Sequence, residues 1–273
     1  MIIAQVTDTH IKADGKLAYQ RVDTAAALRR CVAHLNALVP RPDAALLTGD
    51  LVDLGRPAEY AVLREILAEL AMPYYVIPGN HDDRENLRAA FADHDYLPRE
   101  GEFLHYVIED YPVRLIGLDT TVPGAPHGEL CAERLSWLDA RLAEDRTRQT
   151  VLFMHHPPFL TGIAHMDAQN CRNGTALGAL VERHCQIAFV LCGHVHRTIQ
   201  RSWHGTAAAI GPSPAHAVAL DLRADGPSAF VLEPPSCLLL FQAGDGGLVA
   251  HVSLLGRFDG PYPFYDSAGR LID

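Results

Sequence analysis

Apolar residues along most of the chain fall into short runs that end in polar turns, and stretches with helical spacing lie between them. Residues 2–7 read as a strand. Over residues 22–38, Val22, Ala26, Leu28, Val32, Leu35 and Leu38 recur at helical intervals, and Pro40-Arg41-Pro42 ends the segment. Residues 44–47 predict a second strand, 57–70 a helix with Pro57 near its start, and 74–77 a third strand. The rhythm repeats, with strands at 114–118, 151–154 and 187–191 and helices at 130–142 and 171–184. This alternation predicts an α/β fold. After His196 it gives way to short runs at 207–210, 216–222, 228–231, 237–241 and 248–254, broken by Gly, Pro and Asp, which predict antiparallel hairpins. An aromatic, turn-rich stretch at 258–265 follows.

The polar turns after the strands carry the candidate chemistry. They are Asp8-Thr9-His10, Gly49-Asp50, Asn80-His81-Asp82, His155-His156 and His194-Val195-His196. In open α/β sheets, ligands collect beyond the carboxyl ends of strands. Carboxylates mixed with imidazoles suit Zn, Mn or Fe(II) better than an all-oxygen Mg site. Each turn has an ordinary reading. Asp8 can cap a turn, Gly49-Asp50 can be one, Asn80 suits a turn position, and a lone histidine is usually a satisfied core residue. Five strand ends that all carry ligand-type side chains are poorly explained that way. His194 and His196 are two residues apart, so on a strand both rings point to one side.

Composition narrows the classes. The chain has 273 residues, 48% hydrophobic and 21% charged, enough for one sizeable core with or without an appendage. The net charge is -10 and no Lys/Arg-rich block stands out, so there is no general footprint for a nucleic-acid polymer or an anionic membrane. An anionic substrate stays possible, because bound cations can reverse the potential locally. A basic leader and a bilayer-length apolar run are both missing, so the expected location is the cytoplasm. The six cysteines include no CxxC pair and are expected to be free thiols, a disulfide at an oligomer contact being the alternative. No Walker-type glycine loop is visible.

The set Asp8-x-His10, Gly49-Asp50, Gly79-Asn80-His81-Asp82, His155 and Gly193-His194-x-His196 resembles the complete pattern of the calcineurin-like metallophosphoesterases, in order and spacing from residue 1 to about 200. Gly55-Arg56-Pro57-x-Glu59-Tyr60, Asp83 after the Asn-His-Asp turn, Met154-His155-His156-Pro157-Pro158 and Gly260-Pro261-Tyr262-Pro263-Phe264-Tyr265 narrow the likeness. They resemble bacterial glycerophosphodiester phosphodiesterases and class III cyclic-nucleotide phosphodiesterases.

The resemblance implies a four-layer α/β/β/α sandwich. It implies a catalytic domain at 1–196, a small β-rich cap and dimerisation region at 197–256, and a segment at 257–273 that returns to the catalytic body. It implies two divalent cations (Mn, Fe, Zn or Co), one held by Asp8, His10, Asp50 and His196 and the other by Asp50, Asn80, His155 and His194, with Asp50 bridging. A water or hydroxide activated between them would attack a phosphodiester, and no serine or cysteine nucleophile would be needed. His81 is implied to contact the phosphoryl oxygen or assist the leaving group, Asn80 and His216 to face substrate, and His156 to support the site or touch substrate. Arg56 and Arg197 are candidates for charge stabilisation, and Asp14, Lys16 and Tyr19 for one pocket wall. The expected substrate is a glycerophosphodiester or another small diester, with cyclic nucleotides next. A nuclease and a non-catalytic metal-binding protein are the other readings. The expected assembly is a homodimer or a higher homo-oligomer.

Overall fold

The computed structural model describes residues 1–272. In chain order the elements are β1 (Ile2–Val6), α1 (Thr24–Ala37), β2 (Ala44–Thr48), α2 (Pro57–Leu67), β3 (Tyr74–Ile77), α3 (Arg84–Ala90), β4 (Tyr106–Ile108), β5 (Arg114–Leu118), α4 (Ala132–Glu144) and β6 (Thr150–Met154). They continue with α5 (Ala164–Asp167), α6 (Gly174–Arg183), β7 (Ile187–Cys192), β8 (Ile199–Trp203), β9 (Thr206–Ile210), β10 (Ala217–Val218), β11 (Phe230–Val231), β12 (Ser236–Gln242) and β13 (Leu248–Leu254). Local chemistry sets several helix starts. Asp23 Oδ1 accepts from Ala26 N at 2.9 Å to open α1, and Asp83 Oδ1 accepts from Asn86 N at 2.8 Å to open α3. In front of α2, Glu59 Oε2 accepts from the backbone N of Leu54 and of Arg56.

The strands form a five-stranded sheet ordered β13-β12-β1-β2-β3, a six-stranded sheet ordered β4-β5-β6-β7-β9-β8, and the pair β10-β11. β1, β2 and β3 run parallel, as do β5, β6, β7 and β9. Alternate residues of the larger sheet enter different cores. Leu115, Val151, Phe153 and Leu191 join a cluster with Leu28, Leu46, Leu63 and Val76. Ile116, Leu152 and Val190 join another with Leu138 of α4 and Leu177 of α6. One face of this sheet therefore packs on the other sheet and the opposite face on α4 and α6, a mixed α/β arrangement. Gln5 Nε2 joins the sheets, donating to Thr48 Oγ1 at 2.9 Å and to the Cys192 carbonyl at 2.7 Å. The carboxyl ends of β1, β2, β3, β6 and β7 thus open on one common edge.

Several boundaries differ from the sequence expectation. The expected helix at 171–184 begins only at Gly174, because Asn173 takes a left-handed conformation at φ 64°. The sequence pattern does not reveal α3, α5, β4 or β8; the two helices are only 7 and 4 residues long, too short to display a period. The expected break at residue 197 does not coincide with a break in the sheets. β8 and β9 extend the larger sheet and β12 and β13 extend the smaller one, while only the short β10-β11 pair stands apart. In the segment 257–273, expected to return to the catalytic body and described except for residue 273, Phe258, Tyr262, Phe264 and Tyr265 are exposed. Among the described residues, no helix is long and apolar enough to cross a membrane. All six cysteines are free thiols, four of them buried.

Candidate metal centre

The five strand ends bring their polar side chains into one buried cluster. Asp8, His10, Asp50 and His196 offer ligand atoms within 4.8 Å of one another, and so do His155, His156 and His194. Asp50 joins the groups. Its Oδ2 lies 3.6 Å from His10 Nε2 on one side and 3.4 Å from His155 Nε2 on the other. His196 Nε2 lies 3.3 Å from Asp8 Oδ1 and 3.3 Å from His10 Nε2. Asn80 Oδ1 is 3.2 Å from His155 Nε2.

Backbone strain accompanies this convergence. Asp8, His10, Asp50, His194 and His196 all have positive φ, from 42° to 73°, a region costly for side-chain-bearing residues and concentrated at functional sites. Gly193 serves a neighbouring need: a β-carbon there would lie 2.2 Å from Thr7 Oγ1 and 3.0 Å from Asp8 Oδ2. The His194 backbone N can therefore approach Asp8 and donate to its carboxylate at 3.0 Å. Asp82 ties two of the turns together. Its Oδ2 accepts from Leu51 N at 3.0 Å and Gly79 N at 2.8 Å, and the Tyr60 hydroxyl donates to Oδ1 at 2.9 Å.

The donor set fits divalent cations. Ligands held about 2.0–2.2 Å from a tetrahedral cation stand about 3.3–3.6 Å apart. The nitrogen–oxygen pairs around Asp50 and Asp8 lie at 3.3–3.6 Å, longer than ordinary charge-assisted hydrogen bonds. Among the described residues, His194 Nε2 is buried without a partner. His155 Nδ1 lies 2.9 Å from the Thr48 carbonyl, which can only accept, so in the neutral ring Nδ1 carries the proton and Nε2 presents a lone pair.

Without cations the cluster is electrostatically divided. Burial pushes the Asp8 carboxyl up to about 6, against the pull of His155 and His10. Burial opposes ionisation of Asp50 too, but His155 and His81 hold it well below the usual range. Burial disfavours charge on His155, yet Asp50 and Asp8 raise it to about 9. Burial and neighbouring imidazoles push His194 down to about 3 and His196 well below its ordinary value. Metal binding takes neutral imidazoles, the form burial already favours at His194 and His196, whereas His155 would give up a proton.

A cavity of about 490 Å³ opens over the cluster, within the range of small-molecule sites. His10, Asp50, Asn80, His81, His194, His196 and His216 form its floor, with Tyr19, Val218 and Phe230 on one side and His165, Met166 and Gln169 also lining it. His81 Nδ1 lies 2.8 Å from the Asp53 carbonyl, which leaves Nε2 unprotonated in the neutral ring. The His216 ring stands 4.5 Å from that of His196 and 5.3 Å from Tyr19.

Other sequence candidates lie elsewhere. Arg56 precedes α2, and Arg197 donates to the Val218 carbonyl at 3.0 Å and to Glu233 Oε1 at 2.7 Å, so neither lines the cavity. Asp14 and Lys16 pair with each other at the exposed surface, and of that loop only Tyr19 reaches the cavity. Conversely, Asp53 joins the site without belonging to any of the sequence motifs. Its Oδ1 lies 3.7 Å from His10 Nδ1 and Lys12 pairs with its other oxygen; these partners outweigh partial burial and hold it at about 2. Its closeness to Asp50 in sequence was the available signal. Phe230 and Gln169 lie in stretches without any motif.

Comparison with known proteins agrees with this geometry. The family model for the calcineurin-like phosphoesterases matches residues 1–198. The chain is 46% identical over 274 residues to a protein of Arcobacter nitrofigilis named probable glycerophosphodiester phosphodiesterase GpdQ, covering 100% of both chains. It is 34% identical over 267 residues to a probable cyclic nucleotide phosphodiesterase of Rhodopseudomonas palustris, covering 96% of this chain and 95% of that one. Among solved structures, a dimetal phosphatase from Danio rerio superposes with a TM-score of 0.61 at 16% identity, over 94% of this chain and 99% of that one, which speaks to the fold alone.

Proposed function

This chain belongs to the calcineurin-like phosphoesterase family, and on that premise we propose that it is a metal-dependent phosphodiesterase that hydrolyses small diesters, glycerophosphodiesters first. The observation that carries the reading is Asp50, whose carboxylate lies between the His10 and His155 imidazoles. Asp8, His10, Asp50 and His196 would hold one cation, and Asp50, Asn80, His155 and His194 the other. When bound, the two cations supply Lewis acidity toward the phosphoryl oxygens and make water acidic enough to attack phosphorus near neutral pH. The chain's residues do the rest. The Thr48 carbonyl fixes the His155 tautomer, and the Asp53 carbonyl fixes that of His81. His81 Nε2, at the cavity floor, is the atom that exchanges a proton with a substrate oxygen. Asn80 and His216 border the bound diester, and Tyr19 and Phe230 flank an alcohol group.

Charge supports a small, singly charged substrate. Among the described residues no Lys or Arg lines the cavity, so a second phosphate would find no cationic side chain there. The same feature and the net charge of -10 count against a nucleic-acid polymer. A second reading, cyclic-nucleotide hydrolysis, is favoured by the Tyr19 and Phe230 rings, which pack with centroids 4.9 Å apart and offer an aromatic wall to a base. Six free thiols fit a reducing, cytoplasmic compartment. Exposed Val249, Val252 and Leu254 on the edge strand β13, with the exposed aromatic residues beyond it, support a homo-oligomer.

The test is a parallel assay of metal-reconstituted enzyme against glycerophosphoethanolamine, cyclic AMP, a diribonucleotide and a phosphomonoester. The highest kcat/KM is expected for the glycerophosphodiester. A higher value for cyclic AMP would reverse the ranking.

A further inference from the structure

We infer that His156 is a positioning residue: set by the Thr120 hydroxyl, it donates a hydrogen bond to Asn80 Oδ1 and so governs occupancy of the cation that Asn80 would hold. The inference rests on the reading of the site above. His155 and His156 are chain neighbours with opposite proton placement. His155 gives its Nδ1 proton to the Thr48 carbonyl and keeps Nε2 bare. His156 Nδ1 instead faces Thr120 Oγ1 at 2.8 Å, and its Nε2 lies 3.1 Å from Asn80 Oδ1.

Proton accounting decides the direction. Thr120 is fully buried, and its hydroxyl has one proton to place. His156 Nδ1 is the acceptor within reach, while the His156 backbone N approaches the same oxygen as a donor at 3.4 Å. If Nδ1 carried the ring proton, the buried hydroxyl proton would lack that acceptor, a costly arrangement. Thr120 therefore donates to Nδ1, the ring proton sits on Nε2, and Nε2 donates to Asn80 Oδ1. That bond fixes the amide with its oxygen toward His155, the orientation ligation needs.

The residue before Thr120 is anchored by several hydrogen bonds. This residue, Asp119, is fully buried and accepts from Arg84 Nε at 2.6 Å, Leu104 N at 3.1 Å and Thr121 N at 2.9 Å. This explains Asp119, an acidic strand end that joins no metal group. The Pro126 carbonyl also interacts with the His156 ring. A ring that gave Nδ1–H to it would present a bare Nε2 and bind a cation directly, which the variants below distinguish.

The experiment is Mn²⁺ titration of the metal-free full chain, read by binding isotherm and by the electron paramagnetic resonance signal of coupled Mn²⁺ pairs. It compares wild type with Thr120→Val, Thr120→Ser and His156→Phe. Thr120→Val and His156→Phe should each weaken the second Mn²⁺ site about 10–100-fold, keep the first, and lose the coupled signal at limiting metal. Thr120→Ser, which retains the hydroxyl, should restore both. Wild-type behaviour in Thr120→Val, or equal loss in Thr120→Ser, overturns the inference. So does loss of the second site in His156→Phe alone, which would make His156 a ligand. If the wild type itself fails to bind two Mn²⁺ ions, the two-cation reading fails beneath it.

Discussion

Gly79 runs so close to Asp50 that a β-carbon on it would stand 2.2 Å from the Asp50 backbone N and 2.3 Å from Oδ1. The turn after β3 is thereby packed against the turn after β2, and Asp82 clamps both. Gly79→Ala should displace the Asp50 carboxylate, cost on the order of 3 kcal/mol of stability and lower kcat about 100-fold. Denaturant melts and diester turnover measured together test this. Wild-type values in both would show that the approach is not needed.

The His105 ring gives the metal-free chain a defined pH response. Burial is the main cause that lowers it from 6.5 to about 4, against the nearby Asp119 carboxylate. The unfolded chain then binds a proton that the folded chain refuses. Stability from this group is complete above pH 6.5 and drains away as pH falls toward 4, by about 3 kcal/mol in all. Melting temperatures of wild type and His105→Gln at pH 7 and pH 5 check it. Wild type should lose more on acidification, and equal losses would contradict the assignment.

The absence of Lys and Arg from the cavity predicts discrimination by charge. A diester whose alcohol carries a carboxylate should show kcat/KM about 10-fold below that of its neutral isostere, the effect of about 1.4 kcal/mol of unfavourable interaction. A preference for the carboxylate would point to a cationic group near the mouth.

The β13 edge predicts the assembly surface. Val252→Lys places a charge on the exposed edge strand beside Leu254, which lies on the same face, while Val249 and Phe241 pair on the other face. Light scattering should record a smaller species for the variant than for wild type, with metal content unchanged. Identical masses would place the contact elsewhere.

The candidate site was more legible than the architecture around it. Asp8, Asp50, Asn80, His155 and His194 all follow strands, and a strand that ends in a polar residue is a local pattern. What joins them is not local. The His155–Asp50 approach spans strands of different sheets, which no periodicity reveals. β12 pairs with β1 across nearly the whole chain, a partner that no local pattern in its short apolar run reveals. The roles of Thr120 and Asp53 depend on hydrogen bonds and charge across turns; a threonine does not stand out in such a turn, and Asp53 is marked only by its closeness to Asp50.

The central claim is that Asp50 serves two cations at once. Metal content and turnover of bis-p-nitrophenyl phosphate should be measured for wild type and Asp50→Ala after reconstitution with Mn²⁺. Two Mn²⁺ per wild-type chain are expected, and in Asp50→Ala the loss of the second ion together with turnover. Both ions retained with full turnover in Asp50→Ala would contradict it.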